Sequence, residues 1–458
     1  MTPRPFATLP ASVRSARSRR RRSSGGFTLI ELVVSLVAGL IVAMAVVGLS
    51  REATNSFHEE MRSAQAQMSV RTAIDRLRTD VSRASFMSTP NLWGDPTVVS
   101  DYIANLGGAA PLNIKRLAGI RIHPGGSLKT ANVNSPSGFP LGIPGTDEGA
   151  IPYSANNKLN PDALDITGNI NSVDSFSVQT TEATGCGSLR LWLATMNPPA
   201  YRLLATLPTT NGPIDAIARA FIPVATKTFI VRLQDSQGRV QYLESCGAGI
   251  SGGTRPYVDL TAAVALIQST GKGNVGGEAG FFSGSTVNPV LTVRYKLAPT
   301  QPPYKQDLDV AADTSRFDLY RYYLDSSGTE VGAPDLVAEY AVDLKFAFTV
   351  DNTPAATVLR THTALAFDDA LNGTYGGSTG AVTATGPQRI RSVRIRLGTR
   401  TALADRLSLV SPNMAVTPLE YTNMYRYCSS ALPCTKYARV RTSITEVALN
   451  NQARANYP

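Results

Sequence analysis

The longest apolar stretch of the chain runs from Phe27 to Leu49, interrupted by one charge, Glu31. As a helix rising about 1.5 Å per residue it would span about 34 Å, enough for a hydrocarbon core of about 30 Å. From Arg51 to Ala84 the pattern becomes periodic. Apolar residues fall at Phe57, Met61, Ala64 and Met68, then after a phase skip at Val70, Ile74, Leu77, Val81 and Ala84. Those steps of four and three mark one face of an amphipathic helix. Glu59, Glu60, Arg71, Asp75, Arg78 and Asp80 occupy other positions, and no Pro or Gly intervenes before Pro90. The pattern predicts a helical spine over 27–84, its first half in membrane or filament and its second half docked on the protein's own sheet.

Beyond Ser88 the apolar runs shorten and are cut by Gly, Pro and Asn, as at Gly125-Gly126, Pro136-Ser-Gly-Phe-Pro140 and Gly276-Gly277. This reads as β-rich structure with long loops. Strands are predicted at Ser175–Thr180, Ser188–Ala194, Phe229–Leu233, Val240–Glu244 and Val290–Tyr295, with one helical patch at Leu260–Ser269. From Arg316 the pattern is more regular, with strands at Phe317–Leu324, Ala341–Val350, Gln388–Leu397 and Tyr437–Val447. In the last but one, Val393, Ile395 and Leu397 share one face and Arg394 and Arg396 the other, as in a half-exposed strand with a solvated basic face. The expected fold class is α+β: a long N-terminal transmembrane and amphipathic helix packed on an antiparallel-sheet head, with a large β-rich, loop-rich insertion. Its divisions are a leader (1–26), a transmembrane helix (27–49), a stalk helix (50–86), a β-rich insertion (87–303) and a sheet region (304–458).

Composition narrows the function. With 43% hydrophobic and 17% charged residues, the 458-residue chain can bury a core, and its length allows two or three domains. Three His and four Cys argue against a multi-ligand transition-metal enzyme. The net charge of +10 suggests nucleic acid until it is located: seven of the 44 Lys and Arg lie in residues 1–26 with no acid, leaving 37 against 34 Asp and Glu elsewhere. No nucleic-acid partner is expected of so neutral a body. Arg19–Arg22 place the N-terminal flank in the cytoplasm and the body across the membrane. A cleaved secretory signal is the alternative, but its apolar region would be about 7–15 residues long. It would also not carry Glu31, since a charge in the membrane costs about 2.5–3.5 kcal/mol or more and needs a partner.

Gly26-Phe27-Thr28-Leu29-Ile30-Glu31-Leu32 resembles the prepilin cleavage and N-methylation motif of type IV pilins and type II secretion pseudopilins. The resemblance implies cleavage between Gly26 and Phe27 by a prepilin peptidase, then methylation of the new Phe27 amine. Glu31, fifth in the mature chain, would neutralise that ammonium on a neighbouring subunit, turning two costly charges into one pair. The implied leader, Met1 to Gly26, is long for a type IVa pilin, which raises a start codon downstream of Met1.

The second half is similar to the PilW-type minor pilins. The similarity rests on Arg321-Tyr-Tyr-Leu through Glu339-Tyr-Ala-Val-Asp-Leu-Lys-Phe346, on Ile390-Arg-Ser-Val-Arg-Ile395, and on Arg439 to Asn450. It implies a minor pilin held in the inner membrane with a periplasmic head, then incorporated at the pilus tip in the complex that initiates assembly. The implied partners are other minor pilins, the major pilin and a PilY-type tip adhesin, with no cofactor. The body that follows Ala84, most of the chain, is bulky for a subunit repeated along a thin filament. A minor pseudopilin of type II secretion and a membrane-anchored adhesive module are the alternatives.

All four cysteines lie in the translocated body, where an oxidising compartment favours disulfides. The pairing expected is Cys186 with Cys246 and Cys428 with Cys434, against free buried thiols; no His lies near either pair to suggest zinc. Catalytic patterns lack context. Gly271-Lys-Gly-Asn-Val-Gly276 follows a helical patch without a βαβ unit, and Lys272 precedes Gly rather than Ser or Thr. The two GxSxG matches, around Ser251 and Ser378, lie in Gly-rich loops. His58 falls on the stalk, leaving His123 and His362 as bases. Asp307, Asp309 and Asp313 could chelate calcium, but the loop lacks an EF-type Gly and terminal Glu. The chain is therefore expected not to be an enzyme, and no metal is assigned.

Overall fold

The computed structural model describes residues 28–98, 102, 106, 110–123, 161–187, 189–195, 216–235, 238–252, 254–262, 285–300, 316–351, 359–362, 387–403, 424–427 and 436–453. The chain divides into two units, Met1–Glu60 and Met61–Pro458.

Helix α1 (Leu29–Ser82) is 54 residues long, about 81 Å at the usual rise. In the first unit it opens on a capping box: Glu31 N–H donates to Thr28 Oγ1 (3.3 Å), and Thr28 N–H donates back to Glu31 Oε2 (3.0 Å). Amide groups that a helix start would leave without partners are satisfied reciprocally. Every residue from Leu29 to Leu49 is exposed.

In the second unit the helix turns a face inward. Ala66, Val70, Ala73, Ile74, Leu77 and Val81 are buried, so the expected stripe holds from Val70 onward. Met61, Ala64 and Met68, which precede the phase skip, are exposed. The buried face shares one core with two antiparallel sheets. The first has the order β1 (Ile120–His123), β2 (Ala163–Gly168), β8 (Thr286–Pro299), β9 (Phe317–Leu324) and β10 (Glu330–Ala338). It contributes Ile122, Ile166, Val293 and Tyr295. The second, β12 (Leu359–His362), β11 (Ala341–Asp351), β13 (Ile390–Arg400), β15 (Lys436–Ala448) and β14 (Met424–Tyr427), contributes Leu344, Phe346, Ile395 and Leu397. At the end of β2, a Cβ on Gly168 would stand 2.5 Å from the Arg83 carbonyl, so glycine lets the strand approach the end of the helix. The short C-terminal helix Asn450–Ala453 closes that end: Asn451 Nδ2 donates to the Ser82 carbonyl at 3.0 Å, a group that α1 cannot satisfy itself.

The remaining strands form a second body on the same scaffold. β3 (Phe176–Glu182), β4 (Leu189–Leu193), β7 (Arg255–Leu260), β6 (Val240–Ser251) and β5 (Phe229–Gln234) pair in that order, and β5 and β3 both pair with the N-terminal part of β8. Six antiparallel strands thus close on themselves, which removes free edges. Phe176, Val178, Leu191, Val231, Tyr242, Val258 and Val287 fill a separate core, joined by Ile217 and Phe221 of a short helix (Ala216–Phe221). This barrel is inserted between β2 and the C-terminal half of β8, which pair directly, Leu164 opposite Tyr295 through Gly168 opposite Leu291.

The structure is thus the expected α+β arrangement of a long helix and an antiparallel-sheet head. All nine predicted strands are present. The boundary drawn at 303/304 falls between β8 and β9, which pair from Thr292 opposite Leu324 to Pro299 opposite Phe317. The helical patch at Leu260–Ser269 is corrected at its start. Leu260 ends β7, opposite Leu189 of β4 and Ser245 of β6, and residues 263–269 lie outside the described residues.

Candidate functional site

Gly26 and Phe27, the expected cleavage pair, lie outside the described residues, which begin at Thr28. Glu31 sits in the first turn of α1 as the second half of the capping box. Its bonds to Thr28 N–H and to Thr28 Oγ1, both 3.0 Å, fall on Oε2; Oε1 accepts no hydrogen bond among the described residues. Thr28 is the residue that motif reading passed over, although Thr-x-x-Glu ahead of an apolar run is itself a start signal for a helix. The helix it starts has an 18-residue window of mean hydropathy 2.8, none of it buried. So large a bare apolar surface is unfavourable in water and suits lipid or other apolar helices.

The second half of α1 is fixed to the head by charge as well as by packing. Asp80, on the same helix as the buried stripe, accepts from Tyr295 Oη at 2.7 Å and from Arg321 Nε at 2.8 Å. Arg321 also reaches Asp335, which pairs with Arg76 on α1. Between the sheets, Lys345 Nζ donates to Asp162 Oδ1 at 2.9 Å.

On the barrel, Cys186 and Cys246 form a disulfide, linking the turn after β3 to β6. Gly187 follows directly, where a Cβ would meet the Leu260 carbonyl oxygen at 2.3 Å. Beside it Arg190 grips Asp259 with two bonds, Nε to Oδ1 at 2.6 Å and Nη2 to Oδ2 at 2.9 Å. Its guanidinium also lies 4.0 Å from the Tyr257 ring centroid, while that of Arg255 lies 4.1 Å from Trp192. This cation–aromatic stack ties β4 to β7 beside the disulfide. Cys428 and Cys434 lie outside the described residues.

Among the described residues the enzyme-like patterns do not converge. Ser251 ends β6 just before the hairpin into β7, rather than a strand-to-helix elbow. His123 donates from Nε2 to Asp165 Oδ2 at 2.8 Å, and His58 is on α1. His362 lies in β12. Ser378, the 271–276 glycine run and Asp307, Asp309 and Asp313 lie outside the described residues. Among the described residues no group of three or more His, Cys, Asp or Glu is placed to hold a metal ion.

Residues 21–47 match the model of the prokaryotic N-terminal methylation motif. No curated protein and no solved structure matches the chain. The matched stretch covers the end of the Arg run, the Gly26–Phe27 junction, the capping box and most of the apolar helix. The chain therefore carries a type IV pilin-like prepilin signal, the mark of a pilin- or pseudopilin-like substrate of prepilin peptidase. Its N-terminal helix is long and apolar enough to cross a membrane, and together with the motif this supports anchoring by the N-terminus.

Proposed function

We propose that the chain is a minor type IV pilin of PilW type. The prepilin peptidase cuts between Gly26 and Phe27, Phe27 is methylated, and residues 27–49 hold the protein in the inner membrane with its head in the periplasm. It then joins other minor pilins and the major pilin in the complex that initiates the pilus and remains at its tip, where a PilY-type adhesin docks on the head. Its work is structural, without catalysis or cofactor. The observation that carries this reading is the methylation motif at the start of a helix bare from Leu29 to Leu49. The second carboxylate oxygen of Glu31 supports the pairing role, since capping uses only Oε2.

The test is the mass and first residue of the membrane-extracted protein with and without the peptidase. N-methyl-Phe27 only with the peptidase is expected; a chain starting at Met1, or cut near Leu49, overturns the reading. Loss of surface pili on deletion, with exoprotein export intact, separates a pilin from a type II secretion pseudopilin.

The closed barrel, with a core of its own, favours a second reading in which that body is the adhesive part. Replacing residues 176–285 by a short turn would then abolish adhesion at unchanged pilus number. Loss of piliation instead would assign the barrel to assembly.

A further inference from the structure

A pocket of about 50 Å³ lies on the face of the head where β1 and β8 meet the short helix Leu112–Lys115 and the 325–329 turn. That volume is several times what one water requires and seats a small polyatomic group. Its lining includes Asn113, Arg116, Arg121, His123, Arg294 and Ser327, and no acidic residue among the described residues.

The neighbouring carboxylates are already engaged. Asp165 of β2, wholly buried, is held by Arg294 through Nε–Oδ1 at 2.7 Å and Nη2–Oδ2 at 2.9 Å, and by Arg121 Nη2 at 3.1 Å. His123 Nε2 stands 2.8 Å from Asp165 Oδ2; a carboxylate only accepts, so the proton of this bond belongs to Nε2. Glu330 is taken by Lys296 Nζ at 2.7 Å and by Arg294 at 3.3 Å. Asp325 accepts the N–H groups of Ser327 and Thr329 in its own turn. All three carboxylates are thus already engaged, and Arg116, Arg121 and Arg294 line the pocket. Arg121 is 5% exposed, and its Nε is buried without a hydrogen-bond partner among the described residues. A buried donor left so is costly and uncommon in a folded protein.

We propose that this pocket is a binding site for a small oxyanion, a phosphate, sulfate or carboxylate group held by Arg116 and Arg121. Arg121 Nη2 already donates to Asn113 Oδ1 at 2.7 Å and Nη1 to the Arg116 carbonyl at 3.4 Å, so Nε is the donor Arg121 offers. Charged N–H donors bind oxyanion oxygens more strongly than neutral ones do. The site rests on geometry in the head alone and is independent of the anchor's role.

The experiment is calorimetric titration of the full chain in detergent with inorganic phosphate, sulfate and acetate at constant ionic strength, beside thermal melts. Saturable binding is expected, with the melting temperature rising by about 2 °C at ten times Kd. Arg116→Gln touches no bond to Asp165 and should weaken binding at least tenfold, with its ligand-free melt recorded beside the parent's. Ser327→Asp, at an exposed position of the wall, should abolish binding and serves if the first variant fails to fold. Saturation by phosphate or sulfate but not acetate marks a tetrahedral oxyanion as the ligand; saturation by acetate alone marks a carboxylate, such as a protein side chain would supply. If none of the three saturates, or if both variants bind as the parent does, the proposal is wrong.

Discussion

Asp80 and Arg321 meet at 2.8 Å, Oδ2 to Nε, where α1 packs on β9. With 12% and 5% of their side chains exposed, neither is solvated enough to stand alone. Tyr295 donates to the same oxygen; burial, then the Asp80 charge, pushes its hydroxyl well up, so it remains a donor throughout the accessible pH range. Losing one partner of a buried pair costs about 3–5 kcal/mol. Asp335, 3.3 Å from Arg321 Nη1, offers a partial substitute, so Asp80→Ala should destabilise the head by about 2–4 kcal/mol. Urea unfolding in detergent measures this, and an unchanged midpoint would make the pair ornamental.

Acid stability should report on Asp165. Burial alone would push its carboxyl up, but the Arg121 charge and the bonds from His123 and Arg294 hold it far below the usual carboxylate range. A carboxyl depressed on folding adds stability that is present above its unfolded pKa, about 3.9, and lost as pH falls toward the folded value. The melting temperature should therefore drop steeply between about pH 4 and pH 2. Asp165→Asn should lower it at pH 7 by leaving the arginines uncompensated, and should flatten the acid limb. Parallel acid limbs for parent and variant would show that other carboxylates govern the transition.

The disulfide joins cysteines 60 residues apart in sequence, across β4 and β5 and the chain between them. Closing a loop of that length removes about 4 kcal/mol of unfolded-state entropy in the chain model, and measured bridges deliver about 2–4 kcal/mol. Cys186→Ser with Cys246→Ser should lower the urea midpoint by a corresponding amount, and dithiothreitol should lower the parent's midpoint at least as far, since it would also reduce a bond between Cys428 and Cys434. A parent insensitive to reductant would mean that the packed barrel core suffices.

The strands that could be read from sequence are those with clean alternation or long β-branched runs, such as β5, β9 and β13. Those that escaped violate the pattern for identifiable reasons. β2 reads Ala-Leu-Asp-Ile-Thr-Gly, and its buried Asp165 looks like a loop residue until Arg121 and Arg294 are known to face it. β10 carries Gly332 and Pro334, ordinarily breakers. It tolerates them because among the described residues it pairs only with β9 and its register shifts between Val331 and Asp335, where a bulge needs neither a regular φ nor every N–H. Barrel closure was beyond reading because it depends on β5 pairing with β8 far along the chain, Gln234 opposite Thr286, with β6 and β7 between them in sequence. At the anchor the apolar run and its single carboxylate were legible, whereas Thr28 was read only as part of the motif and not as the cap that starts the helix.

The two halves of the stalk stripe, alike in sequence, should behave in opposite ways. Leu77 is fully buried in the core that α1 shares with both sheets, while Met68 is 70% exposed. Leu77→Ala removes a packed side chain and should cost about 2–5 kcal/mol in urea unfolding. Met68→Ser exchanges one exposed group for another and should stay within about 0.5 kcal/mol of the parent. If the exposed series is a surface for neighbouring helices, as the pilin reading requires, the same Met68→Ser protein should still be recovered less often in filament complexes pulled down through the major pilin. Normal recovery would confine helix–helix assembly to residues nearer the membrane, because a serine there removes most of the apolar contact that a thioether supplies.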